Sequence, residues 1–227
     1  MTAGPFVLFG PAHLVTLAVI ATASSASAIA VRRNPDRPLA TAIALALAAV
    51  ALFALVLDVL AGVREGRPWT RWMPLQLCDV AALLAVAALA GRSRRAAELL
   101  WFWAMAGTLL ALLTPDVARG FPSESFVLFF AKHGAVVAGA ATATFGFGLT
   151  PRKGAPARAF GWTLAFAAAI GALDWTTKAN FFYLRAKPAR PTLLDWLGPW
   201  PLYLVSVAAS ALALFWLLDL PFRRRRR

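Results

Sequence analysis

Residues 39–57 read LATAIALALAAVALFALVL, with no ionisable side chain between Arg37 and Asp58. At about 1.5 Å of rise per residue such a run makes a helix of roughly 30 Å, the thickness of the hydrocarbon core of a bilayer. The whole second run extends over about 39–61, and others lie at about 6–31, 75–91, 96–113, 124–148, 157–174 and 198–219. Turn and charge signals separate them: Arg32-Arg33-Asn34-Pro35-Asp36-Arg37-Pro38, Arg64-Glu65-Gly66-Arg67-Pro68, Gly91-Arg92-Ser93-Arg94-Arg95 and Pro151-Arg152-Lys153-Gly154. The expectation is an all-α, polytopic membrane protein of seven transmembrane helices, one domain over residues 1–222 followed by a basic tail at 223–227.

Composition agrees with this reading. Of the 227 residues 60% are hydrophobic and 15% charged, and the mean hydropathy is +0.68, more apolar surface than a water-soluble domain of this size can bury. The formal net charge of +13 would suggest nucleic acid for a soluble chain. Here the basic residues sit in short runs between apolar stretches, so no nucleic-acid partner is expected. With the N-terminus outside, 14 of the 23 Lys and Arg fall on the cytoplasmic side, which favours N-terminus out and C-terminus in. The five arginines from Arg223 to Arg227 contribute much of this bias and are expected to meet anionic lipid. No basic residue precedes the first run, which is therefore read as a span and not as a cleaved signal peptide.

The outer segments hold the polar chemistry: residues 69–79, residues 114–122 and the long stretch from Asp174 to Pro201. Trp69, Trp72, Trp175, Trp196, Trp200 and Tyr203 are read as interfacial belt residues. The two histidines, His13 and His133, both fall inside apolar runs, where an ionisable group is by default a functional hypothesis. From the outer ends of their runs they lie about seven and nine residues deep, roughly 10 to 14 Å. Cys78 is the one cysteine, so an intramolecular disulfide and a multi-cysteine metal site are excluded. With Pro74 as a first helical residue, Cys78 sits near the positive end of a helix dipole, and a histidine at similar depth supplies a base. Phe126, Phe129 and Phe130 precede His133 at i−7, i−4 and i−3, an aromatic stripe that either packs or suits an acyl chain. Lys132, about 100° round the helix, is expected to snorkel. Asp79 and Asp116 are candidates to orient a histidine, and no metal-ligand spacing or phosphate-binding glycine loop is present.

Taken as a set, these residues resemble a known family. Phe9-Gly10-Pro11-Ala12-His13-Leu14, Pro74-Leu75-Gln76-Leu77-Cys78-Asp79, Phe102-Trp103-Ala104-Met105-Ala106-Gly107-Thr108, Thr114-Pro115-Asp116, Phe129-Phe130-Ala131-Lys132-His133-Gly134 and the run from Lys178 to Pro188, with Gly198-Pro199-Trp200-Pro201 beyond, are similar to the bacterial YwaF-type integral membrane proteins. That family in turn resembles the eukaryotic transmembrane protein 164 acyltransferases, which move polyunsaturated acyl chains from phospholipid to lyso-ether-lipids. The resemblance implies Cys78 as nucleophile and His133 as its base, with His13, Gln76, Asp116, Asn180, Tyr183 and Lys187 about the substrate, and no cofactor or metal. It implies a phospholipid acyl donor and a lyso-lipid acceptor as partners, in the plasma membrane if the source is bacterial. Two alternatives stand beside it. One is a lipid-ester hydrolase of the same Cys-His chemistry, and the other a non-enzymatic heptahelical transporter or receptor.

Overall fold

The computed structural model describes residues 4–188 and 192–223, so Arg224 to Arg227 of the expected tail lie outside the described residues. Helices α1 (Pro11–Arg33), α2 (Pro38–Arg64), α3 (Trp69–Trp72), α4 (Leu77–Leu89), α5 (Arg94–Trp103), α6 (Leu109–Leu113), α7 (Glu124–Ala141), α8 (Ala155–Thr177) and α9 (Leu202–Arg223) make up the fold. A π-turn at Ala104–Thr108 joins α5 to α6, and a second at Thr142–Gly146 extends α7. No strand occurs among the described residues; Pro5 forms an isolated antiparallel bridge with Arg119.

Six of these helical stretches are long and apolar enough to cross a membrane: Pro11–Arg33, Pro38–Arg64, Arg94–Leu113, Glu124–Gly146, Ala155–Thr177 and Leu202–Arg223. The stretch expected as a seventh is shorter. Residues 75–91 yield α4, whose 13 residues rise about 20 Å. The Pro74 start does not occur, because Gln76 is the N-cap of α4 and Leu77 its first helical residue. Likewise α1 begins at Pro11 and not near residue 6. Phe9 takes a left-handed backbone and Gly10 is the extended N-cap.

Packing sets which helix is central. The span Glu124–Gly146 is 72% buried, against 17% for Pro11–Arg33, Ala155–Thr177 and Leu202–Arg223, so α7 is the axis and α1, α8 and α9 face outward. Lipid gives apolar side chains no reason to leave it, so helices in a bilayer associate through close van der Waals fit, which small residues permit. The core obeys this: Ala44, Ala48 and Ala51 of α2 meet Ala81, Ala85 and Ala88 of α4 and Ala135 and Ala140 of α7. On the other side of α7, the space above Gly134 is filled by Ile20 of α1, and Val31 lies against Gly146. Ser27 and Thr142 share a hydrogen bond of 2.9 Å between the same two elements.

Ion pairs mark the two ends of the bundle. At the end holding the α5 and α8 N-termini, buried Glu98 accepts from Arg152 Nε at 3.0 Å and from Arg158 Nε at 3.0 Å. At the opposite end Arg64, closing α2, meets Glu124, opening α7, at 2.6 Å. That second end also carries the bridge of Pro5 to Arg119 and the start of α4, and it is where the candidate residues collect.

Candidate active site

The site is organised by a buried lysine. Lys132 Nζ donates to Asp79 Oδ1 at 2.7 Å and to Asp58 Oδ2 at 3.0 Å, joining α7 to α4 and α2. The expected snorkelling does not occur. Lys132 is 6% exposed because two carboxylates meet it inside the bundle, and a paired ammonium has no need to reach the surface. Asp79 is thereby committed to Lys132 and, through Oδ2, to the backbone N–H of Gln76 at 3.1 Å. It orients no histidine in this structure.

This pairing fixes the start of α4. Cys78 is its second residue, adjoining Asp79, and so lies in the first turn of the helix. The hydroxyl of Thr108 donates to Cys78 Sγ at 3.9 Å. Thr108 is buried at the end of the first π-turn, a local widening that often accompanies functional positions. The neighbouring Gly107 lets Leu77 approach, since a Cβ there would lie 3.2 Å from Leu77 Cδ2.

His133 adjoins Lys132 on α7. Its Nδ1 donates to the carbonyl of Phe129 at 2.7 Å, which leaves Nε2 as the bare, proton-accepting nitrogen of the neutral ring. The Phe129 ring stacks on the imidazole, centroids 3.9 Å apart. No hydrogen bond links Cys78 to His133 among the described residues; the resting partner of the thiol is Thr108. The aromatic stripe divides. Phe129 serves His133, whereas Phe126 and Phe130 are buried against Phe6 and pack as core.

His13 lies apart. It is three residues into α1, not seven, and both ring nitrogens are occupied: Nδ1 accepts the Phe9 N–H at 3.0 Å and Nε2 donates to the Leu112 carbonyl at 2.8 Å. This histidine ties the entry to α1 to the last turn of α6.

The segment 178–188 closes over α4. Gln76 Oε1 accepts the Phe182 N–H at 2.7 Å. Phe182 and Tyr183 both have left-handed backbones, at φ 55° and 54°, an uncommon conformation for bulky residues that costs on the order of 1–3 kcal/mol each. What holds them is a set of three bonds. Phe181 N–H donates to buried Asp174 at 3.0 Å, Tyr203 hydroxyl donates to the Tyr183 carbonyl, and Tyr183 hydroxyl bonds to Asp116. Tyr203, expected in the interfacial belt, is 1% exposed for this reason. Burial, with the carboxylate of Asp116 beside it, pushes the Tyr183 phenol up to about 12, so it stays a donor at any physiological pH.

Asn180 spends its side chain on the loop itself. Its Oδ1 accepts from the N–H groups of Arg185 and Ala186 at 2.9 and 3.0 Å, and its Nδ2 donates to the Ala186 carbonyl at 2.8 Å. Lys187 lies 3.8 Å from Asp195 and over the Tyr203 ring. The structure thus gathers Gln76, Cys78, Asp116 and Tyr183 at the mouth of α4, while Asn180 bonds within its own loop, His13 bonds to Phe9 and Leu112, and Lys187 meets Asp195 and Tyr203.

A family model described as the TMEM164 family matches residues 8–219. The chain belongs to that family. The match takes in every residue of the site, from Gln76 and Cys78 through Lys132 and His133 to Tyr183 and Tyr203. No curated protein and no solved structure matches the chain. Within this TMEM164-family member, sequence reading missed the roles of Lys132, Asp58 and Thr108. The available signal was Asp58 near the outer end of an otherwise uncharged run, an acid in a span implying a cation on a neighbouring helix.

Proposed function

We propose that this TMEM164-family protein is a membrane-embedded acyltransferase that passes an acyl chain from a phospholipid through a thioester on Cys78 to a lyso-lipid hydroxyl. The observation that carries the reading is the thiol at the N-terminus of α4, under the Tyr183 loop, with the proton-accepting Nε2 of His133 on the residue next to the lysine that binds Asp79.

In the first half, the thiol proton passes to His133 Nε2, directly after rotation of the side chain or through one water, and sulfur attacks the ester carbonyl. The C–O bond breaks, the departing lyso-phospholipid alkoxide takes the proton from His133, and the acyl group remains on sulfur. In the second half, the acceptor hydroxyl gives its proton to His133 and its oxygen attacks the thioester. The Cys78 thiolate leaves and recovers the proton. Backbone N–H groups opening α4 and the Thr108 hydroxyl are the donors nearest the developing oxyanion. Water as acceptor turns the same steps into ester hydrolysis.

The excess of Lys and Arg in the connections at 32–37, 92–95 and 152–158 supports N-terminus out and C-terminus in, α4 being counted as a short seventh crossing. This would place the site in the outer half of the plasma membrane. One observation favours a second, non-enzymatic reading: the resting thiol is bonded to Thr108 and not to His133. Incubation with a phospholipid labelled on its acyl chain separates the two. Transfer predicts a label on Cys78 that neutral hydroxylamine releases and that Cys78→Ala lacks; a reconstituted wild-type protein that never acquires label would exclude the thioester.

A further inference from the structure

A second feature opens on the lipid-facing side of the bundle. Between α8, α9 and the segment 178–188 lies a cleft of about 450 Å³, within the size range of ligand pockets. One wall is the α8 strip of Ala167, Gly171 and Trp175, at i, i+4 and i+8; Leu204 of α9 faces it, and Arg185 stands among its lining residues. Trp175 at its rim is 79% exposed, as an interfacial tryptophan is, and the strip down to Ala167 descends about 12 Å from there. A Cβ at Gly171 would make ordinary contact with Leu184 at 3.6 Å, and a longer side chain would enter the cleft.

The charge is the informative part. Arg185 Nη1 donates to the Ala179 carbonyl at 3.2 Å; the buried Asp174 carboxylate feels its charge, but no carboxylate comes within ion-pair distance of the guanidinium among the described residues. Its other donors are free there. A guanidinium with no carboxylate in contact, at the head of an apolar cleft and at the level of exposed tryptophans, is matched by an amphiphile with an anionic head and an aliphatic tail.

We infer that this cleft seats an anionic glycerophospholipid, one acyl chain along Ala167 and Gly171 and the phosphate on Arg185. The inference deepens the acyl-transfer reading and rests on it for the lipid's role as donor. Leu184 lines the cleft, while the preceding Tyr183 reaches Asp116 on the active-site side, so the loop has the cleft on one face and the mouth of α4 on the other. A phosphate on Arg185 holds the ester linkages of the same lipid beside that loop.

Native mass spectrometry of the purified protein, released from nanodiscs of equal phosphatidylglycerol and phosphatidylcholine, tests the binding without reference to activity. Wild type is expected to retain phosphatidylglycerol preferentially. Arg185→Gln should reduce that preference about tenfold, the effect of one charge-assisted hydrogen bond, and Gly171→Leu should reduce retention of both lipids. Should Gly171→Leu fail to fold, Leu204→Trp narrows the cleft from the opposite wall. Equal retention by wild type, Arg185→Gln and a cleft-filling variant overturns the site. Cys78→Ala keeps the bound lipid if the site is right. Loss of lipid in the cleft variants alongside unimpaired acyl transfer by Cys78→Ala would overturn the thioester while leaving the cleft standing.

Discussion

Lys132 Nζ lies 2.7 Å from Asp79 Oδ1 across the α7–α4 contact, one residue from His133 on the first helix and one residue from Cys78 on the second. The proposed base and nucleophile thus each adjoin one partner of a single buried ion pair.

Breaking that pair on one side leaves a charge buried and unpartnered. Lys132→Met is therefore expected to destabilise by about 3–5 kcal/mol, while Lys132→Met combined with Asp79→Leu recovers much of the loss. Thermal unfolding in detergent measures both. An additive double variant would show that the two side chains do not interact.

The two histidines should separate by assay. His133→Ala removes a ring that makes one bond to its own helix, so folding persists and thioester formation on Cys78 falls at least a hundredfold, the low end of general-base contributions. His13→Ala strands the Leu112 carbonyl and the Phe9 N–H, so stability drops by about 1–3 kcal/mol while the folded fraction keeps its rate per molecule. A His13→Ala protein of normal stability but no thioester formation would move His13 into the proton path.

Tyr183 provides a pH signature. Its phenol is raised above its ordinary value near 10 to about 12, so the neutral, donating form is the one folding favours. The stabilisation is complete below pH 10 and is lost as pH rises through 12. The difference in melting temperature between wild type and Tyr183→Phe should accordingly be constant up to about pH 10 and shrink above it. A difference that grows with pH would contradict the bond to Asp116.

Topology can be read with single cysteines in a Cys78→Ala background. A thiol at Arg119 should react with an impermeant reagent applied from outside, and one at Lys153 only after permeabilisation. The reverse pattern would transfer the site to the inner half of the membrane.

The run at 39–57 and its counterparts made the helical membrane class legible, because a span is a one-dimensional property of hydropathy. Element ends were less so. Whether residues 75–91 fill a full span depends on Gln76 capping α4 and on Asp79 answering Lys132 from another helix, and neither contact is local in sequence. The same holds for the site. Cys78 and His133 were found as polar residues in apolar surroundings, but Thr108 reaches the thiol only through the π-turn, which hydropathy does not encode. By hydropathy alone His13 and His133 are alike, both being histidines in apolar runs, and it is the family resemblance that singles out His133 as the base. What distinguishes them is hydrogen-bond accounting, with both His13 nitrogens used and one His133 nitrogen left open.

The brevity of α4 reaches beyond the protein. Its C-terminal end is held where Arg92 stacks on Phe147, at the end of the bundle opposite the candidate residues. A rise of about 20 Å from there stops roughly 10 Å short of the far edge of a 30 Å hydrocarbon layer. A bilayer meeting this mismatch thins or dimples locally, at a fraction of a kcal/mol for each ångström. In the proposed enzyme, headgroups bordering such a dimple would come closer to the level of the thiol. Catalytic rate in the proposed enzyme should therefore depend on bilayer thickness, rising in short-chain membranes and falling in long-chain ones.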